Sequence, residues 1–419
     1  MGKIIIEGGI KLNGEVTASG AKNAALPLMT AALLTSEPCT LRNVPLIEDT
    51  YVMADIMRSF GAEVSIDADQ HAVHMCLPSV KNIEAPLDLA RKMRASFLVS
   101  GPLLTRFGAM RVPHPGGCAL GTRPVNVDVV GFRSMGAEVT IDGEYYDGRT
   151  SRLLGAKIYL DYPSHTGTEN LLMAACLAKG KSRIIHASTE PELACVAACL
   201  NQMGARITGA GSSVIEVEGV DELRGYDFEV VSDRMEAGTF AIAAAITDGD
   251  ILIRGIVPAD MDPVSHKLRQ AGVDVEEGPD WIQVRGRGYL RAVDVQALPF
   301  PGFPTDLQAA FGALMTQGHG VSTIFERVYD NRLLYTHELR KMGAQIEVSG
   351  QKAKINGPAP LIGTSVRALD IRCGAALVLA GLTAEGRTEI SDAYHLDRGY
   401  EDLVERLCSL NAVVSRRDD

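Results

Sequence analysis

Residues 113–124 read PHPGGCALGTRP, and the glycines and prolines around Cys118 leave room for neither an ordinary helix nor a central strand. A thiol has an ordinary pKa near ~8.5, and cationic neighbours favour its thiolate. Cys118, five residues before Arg123, is therefore placed for reaction and not for packing. Lys22, Arg94, Asp306 and Arg372 stand near the polar starts of segments that then turn rich in alanine and leucine. A helix start offers unpaired N–H groups and partial positive charge, so starts bearing Lys or Arg suit a phosphate. Several such starts are expected near a cleft between two domains, where they would grip an anionic substrate.

The segments that must position these groups recur. Six of them begin polar and become apolar: residues 20–34, 91–108, 164–180, 232–249, 303–318 and 366–386. Each reads as a helix buried on all sides. A second series interleaves with the first, in which a helical run ends at glycine and a β-like run follows. It is clearest in MRSFGAEVSID around Gly61 and FRSMGAEVTID around Gly136. Gly204, Gly272, Gly343 and Asn411 continue it, at steps of 75, 68, 68, 71 and 68 residues. Glycine or asparagine in that slot is what a left-handed helix terminus requires. The chain is thus expected to be α/β, built from six units of strand, buried helix, strands, surface helix and strand. A length of 419 residues divides them into two domains of three.

Composition narrows the function. A hydrophobic share of 46% describes a folded chain, and a net charge of −11 without a Lys/Arg block argues against nucleic acid as a partner. Runs such as AIAAAI (241–246) are too short for a membrane span, and MGKIIIEGG lacks the apolar region of a signal peptide. Eight cysteines without a CxxC read as reduced, cytoplasmic thiols. The sequence GGCALG fails the dinucleotide fingerprint, and AKGKS lacks the first glycine of a P-loop. No HExxH suggests a metal site, and no GxSxG elbow appears.

Four motifs in order, GAKNAALP (20–27), PGGCALGTRP (115–124), FPTDLQA (303–309) and HLDRGYED (395–402), resemble the enolpyruvyl transferase family. Within it they resemble the UDP-N-acetylglucosamine 1-carboxyvinyltransferases. The similarity runs from Ile5 to about Asn411. It implies two inside-out α/β barrels with helices inside and sheets facing solvent. Residues 22–230 would form the N-terminal domain carrying the cysteine loop, and residues 1–21 with 231–419 the C-terminal one. It also implies enolpyruvyl transfer from phosphoenolpyruvate to the 3′-hydroxyl of UDP-N-acetylglucosamine, the first committed step of peptidoglycan synthesis. Neither metal nor cofactor is expected.

The resemblance also distributes roles. Lys22, Asn23, Arg123, Arg332 and Arg398 line the phosphoenolpyruvate site, where guanidinium forks match carboxylate and phosphate. Arg94 reaches the nucleotide diphosphate or the reacting centre. Cys118 is the general acid and the site of a phospholactoyl thioether or of alkylation by fosfomycin, on a loop that Gly116, Gly117 and Gly121 allow to close. Asp306 is the base for the sugar hydroxyl, although a first-turn aspartate of a helix is its plain reading. Lys22 and Arg398 complete the catalytic set. The nucleotide sugar is assigned to Arg123, Pro124, Val125, Asn126, Val127, Tyr162, Pro163, Ser164, His165, Asp306 and Val328.

Two departures stand out. Relatives typically read SVGATEN where residues 164–170 read SHTGTEN, which shifts the glycine by one; YDNRLLY (329–335) replaces FENRFMH but keeps Asn331 and Arg332. Two other readings stay open. One is the sister enzyme acting on shikimate 3-phosphate, which lacks the cysteine loop, and the other is a noncatalytic nucleotide-sugar sensor on the same scaffold.

Overall fold

The computed structural model describes residues 2–116 and 125–417. They fall into two compact units, residues 20–116 with 125–231 and residues 2–19 with 232–417.

In the second unit three helices form the centre: α4 (Arg234–Ile246), α5 (Thr305–Met315) and α6 (Ile371–Thr383). All three pack on one another. Every residue of α4 is buried, as are Leu307–Met315 of α5 and Arg372–Leu382 of α6. Alanines allow the axes to approach closely, while each wholly buried Leu, Ile or Phe is worth about 1.5–3 kcal/mol. The first unit repeats the plan with α1 (Lys22–Ala31), α2 (Ser100–Phe107) and α3 (His165–Cys176).

Helix α2 departs from the expectation of one helix over residues 91–108. Arg94–Val99, directly before it, is a separate 3-10 helix. The cause is the buried amide of Asn170. Its Oδ1 accepts from Gly101 N at 2.7 Å and its Nδ2 donates to Phe97 O at 3.1 Å, occupying the two groups that a continuous α-helix would join. Pro102 also has no N–H to offer.

Three sheets lie around each trio of helices. In five of the six described sheets a parallel outer pair is followed by two antiparallel strands; the sixth, made of Ala109–Pro113, Tyr145–Arg149 and Glu138–Asp142, has three antiparallel strands, with a parallel bridge from Glu84 to Arg111 in place of the outer strand. In the second unit Val295–Ala297 runs parallel to Gly320–Glu326, which pairs antiparallel with Lys352–Gly357, which in turn pairs with Gln345–Ser349. The N-terminal strands complete the other two sheets. Lys3–Glu7 lies antiparallel between Arg387–Ser391 and Val413–Arg417, and Asn13–Thr17 lies parallel to Asp250–Arg254. In the first unit Asp227–Glu229 closes the corresponding place beside Cys39–Arg42. Most strands alternate buried and exposed residues, so helices are inside and sheets face solvent. This is the inside-out α/β architecture that the resemblance implies, built from six repeated units.

The six outer helices end alike. Gly61, Gly136, Gly204, Gly272, Gly343 and Asn411 all have positive φ, between 74° and 106°. In each case the next N–H reaches back to a carbonyl in the last turn, as Ala62 does to Met57 (3.2 Å) and Val273 to Leu268 (3.0 Å). A side chain three residues before the slot then ties the helix to the following strand. Arg58, Arg133, Asn201, Arg269 and Arg340 donate to the carbonyls of Val64, Val139, Ile207, Val275 and Ile346, and the Cys408 thiol does so to Val414. The seven described cysteines form no disulfide. No described helix is long and apolar enough to cross a membrane.

Candidate active site

Asp306 is the second residue of α5. Its Oδ1 accepts from Arg332 Nη2 at 2.7 Å and its Oδ2 from Arg372 Nη2 at 2.6 Å. The two guanidiniums come from different elements, Arg332 from the loop before the helix Tyr335–Lys341 and Arg372 from the first turn of α6. Burial is the largest single effect and opposes both cations, but the neighbouring groups, Asp306 first among them, together outweigh it and raise the pKa of each. The carbonyl of Arg332 accepts from Gln308 Nε2 at 3.1 Å, and Tyr400 OH lies 3.4 Å from Arg372 Nη1. A carboxylate is thus fixed between two buried forks, each able to grip an anion.

Val328 sits in the same unit, just past the strand Gly320–Glu326. Its N–H donates to Glu326 Oε1 at 2.7 Å, while Glu326 Oε2 accepts from Thr305 Oγ1 at 2.7 Å. Arg398 follows the short helix Tyr394–Asp397. The His395 imidazole has a lowered pKa, through burial first and the Arg398 charge second.

In the first unit Lys22 opens α1, and its Nζ lies 2.6 Å from Asp49 Oδ2. The Asp49 side chain is only 2% exposed, so this buried carboxylate holds the ammonium close to the helix start beside Asn23.

A second group gathers at the start of α3. Arg94, Phe97, Leu98, Val125, Asp128, Thr166 and Asn170 line one small recess. Burial raises the Asp128 carboxyl to about 6, against the lowering effects of the Asn170 hydrogen bond and the Arg94 charge. Val125, Asn126 and Val127 form the start of the helix Asn126–Ser134. Ser164 caps α3, accepting from Gly167 N at 3.1 Å, and its own N–H donates to the carbonyl of Tyr162. The shifted glycine of SHTGTEN now has a physical reason. A Cβ at Gly167 would come within 2.8 Å of Val127 Cγ1 and 2.9 Å of Ser164 Oγ. His165 Nε2 lies 3.1 Å from the buried Glu169. Burial disfavours the imidazolium, but Glu169, with Glu192 and Glu190, carries its pKa up to about 9. Tyr162 is partly exposed and Pro163 half-buried.

The structure therefore brings together Asp306 with Arg332, and Arg94 with Val125, near Ser164 and Val127. Cys118, Arg123 and Pro124 lie outside the described residues.

A curated UDP-N-acetylglucosamine 1-carboxyvinyltransferase 1 from Caldanaerobacter subterraneus is 46% identical over 415 residues, 99% of each chain. A UDP-N-acetylglucosamine 1-carboxyvinyltransferase from Halorhodospira halophila is 44% identical over the whole of both chains. The chain belongs to this family. The family model described as EPSP synthase (3-phosphoshikimate 1-carboxyvinyltransferase) also matches this chain, over residues 6–407. The crystal structure of the enolpyruvyl transferase NikO from Streptomyces tendae superposes with a TM-score of 0.91 at 27% identity, covering 99% of this chain and 98% of that one. An EPSP synthase from Acinetobacter baumannii, at 18% identity and a TM-score of 0.78 over the whole of both chains, shares the fold.

Two residues of these clusters, Asp49 and Glu326, carry no signal of function in the sequence, and a third, Arg372, carries only part of one. Arg372 was visible as a charge at a buried helix start, two residues after the capping Asp370, but nothing in the sequence joins it to Asp306. Asp49 reads as one of two acids in a helix first turn. Glu326 reads as the end of a strand. Each gains its meaning only from a partner distant in sequence.

Proposed function

We propose that this chain transfers the enolpyruvyl group of phosphoenolpyruvate to the 3′-hydroxyl of UDP-N-acetylglucosamine and releases phosphate, the first committed step of peptidoglycan synthesis. The observation that carries the reading is the match, at 44–46% identity over essentially whole chains, to transferases of that name. The reading takes residues 22–230 as the N-terminal domain bearing Cys118, residues 1–21 with 231–419 as the C-terminal one, and the cytoplasm as the place of action.

The chemistry is an addition followed by an elimination. Cys118 gives a proton to the methylene carbon of phosphoenolpyruvate while the sugar oxygen bonds to the neighbouring carbon and passes its proton to Asp306. That yields a tetrahedral adduct. Cleavage of the bond between the tetrahedral carbon and the phosphate oxygen then releases phosphate, which takes the proton held by Asp306, and the Cys118 thiolate left by the first step takes a methyl proton, restoring the double bond. Lys22, Asn23, Arg123, Arg332 and Arg398 hold the two anionic groups of phosphoenolpyruvate. Arg94, Arg123 to Val127, Tyr162 to His165, Asp306 and Val328 hold the nucleotide sugar. Phosphoenolpyruvate already carries the activated group, so no metal or organic cofactor enters.

The Asp306 clamp supports an ordered role for this carboxylate. With both oxygens engaged by Arg332 and Arg372, it is a poor proton acceptor. A substrate anion that takes over Arg332 frees one oxygen, and the hydroxyl proton can then transfer as the new C–O bond forms. The sister reaction on shikimate 3-phosphate is the reading to separate. Fosfomycin should inactivate the protein, with protection by UDP-N-acetylglucosamine and none by shikimate 3-phosphate; protection by the latter alone would reverse the assignment.

A further inference from the structure

We infer that Glu326 is a positioning residue that couples the loop bearing Val328 to the helix start bearing Asp306. The inference rests on the enolpyruvyl-transfer reading above. Glu326 is the last residue of the strand Gly320–Glu326 and is 1% exposed. Its two oxygens are divided between two segments. Oε1 accepts the N–H groups of Val328 (2.7 Å) and Tyr329 (3.1 Å), which turns the chain at once after the strand and sends it toward Arg332. Oε2 accepts the Thr305 hydroxyl at 2.7 Å, and Thr305 is the first residue of α5, directly before Asp306. A buried carboxyl has to satisfy its oxygens, and here the three hydrogen bonds that it accepts come from the two segments that the reaction needs in register. Burial raises its pKa, with the donors and the Arg332 charge pulling the other way.

The bridge has two arms, and each makes its own forecast. Loss of the Oε1 arm loosens the turn at Val328 and weakens nucleotide-sugar binding. Loss of the Oε2 arm displaces the helix start and slows the step in which Asp306 takes the proton. Arg332 makes its own bonds to α5, through Asp306 and the Gln308 amide, and follows that helix, so grip on phosphoenolpyruvate should change least.

The test is steady-state phosphate release with each substrate varied in turn, for the full-length protein and for Glu326→Ala, Glu326→Gln and Thr305→Val, with folding followed by circular dichroism. Glu326→Ala is expected to raise KM for UDP-N-acetylglucosamine about tenfold and lower kcat about tenfold, with KM for phosphoenolpyruvate within about twofold. Glu326→Gln keeps one acceptor oxygen for both N–H groups, and its amide can donate to Thr305, so it should recover most of both effects. Thr305→Val removes one arm only and should lower kcat while leaving both KM values nearly unchanged; it carries the test should Glu326→Ala fail to fold. Equal rises in both KM values, or constants unchanged in Glu326→Ala and Thr305→Val, overturn the positioning role. Release by the unaltered protein, measured alongside, separates the two claims: its absence defeats the functional reading, whereas its presence with unchanged variants defeats only the bridge.

Discussion

Asp306 and Cys118 divide the proton traffic of the proposed reaction, and their variants should fail differently. Asp306→Asn keeps the size of the side chain but puts an amide N–H against a guanidinium. It is expected to lower kcat by about 10²–10⁴ through loss of the base; a kcat within threefold of the parent would remove that role. Cys118→Ser should bind both substrates yet turn over poorly, because a hydroxyl is a far weaker acid than a thiol. Cys118→Asp should retain substantial activity and escape fosfomycin, since a carboxylic acid can donate the proton and offers no sulfur to alkylate. Continued inactivation of that variant would point to another target. Lys22 and Asp306 were legible in the sequence because each opens an apolar helix. Asp49, Glu326 and the pairing of Arg372 with Asp306 were not, because those contacts join residues that no local pattern relates.

At the scale of elements, the glycine slots were the most legible feature, since positive φ selects residue type directly. All six adopt it, Asn411 included. Gly204 offers a clean check. It has φ of 106° and nothing lies within 4 Å of the position a Cβ would take, so Gly204→Ala tests backbone strain alone. Urea unfolding should show a loss of about 1–2 kcal/mol; an unchanged midpoint would contradict the terminus geometry. The interrupted helix at residues 94–107 was illegible because its cause, the Asn170 amide, comes from α3. The same region predicts a pH dependence. Burial lifts the Asp128 carboxyl from 3.8 to about 6, so its ionised form costs stability. The cost is absent below the unfolded value, grows as pH rises, and is complete above about 6. The stability gained by Asp128→Asn should therefore be larger at pH 7.5 than at pH 5, by about 1 kcal/mol. Equal gains at both would show that the carboxyl is not so perturbed.

On the scale of the whole molecule, repetition announced the architecture, but strand pairing did not follow chain order. Lys3–Glu7 pairs with Arg387–Ser391 and Val413–Arg417, almost the full length of the sequence away. Two of the three sheets in that unit are completed by the first 19 residues. Removing them would uncover the apolar faces that Ile4, Ile6 and Val16 now cover. The truncated chain should lose protease resistance across residues 232–417 before residues 20–231. Resistance equal to that of the full chain would contradict the pairing. The most direct measurement is phosphate release from phosphoenolpyruvate across a small panel of acceptors. Rapid release with UDP-N-acetylglucosamine and none with shikimate 3-phosphate is the predicted result; release with shikimate 3-phosphate, or binding of the nucleotide sugar with no release at all, would contradict the assignment.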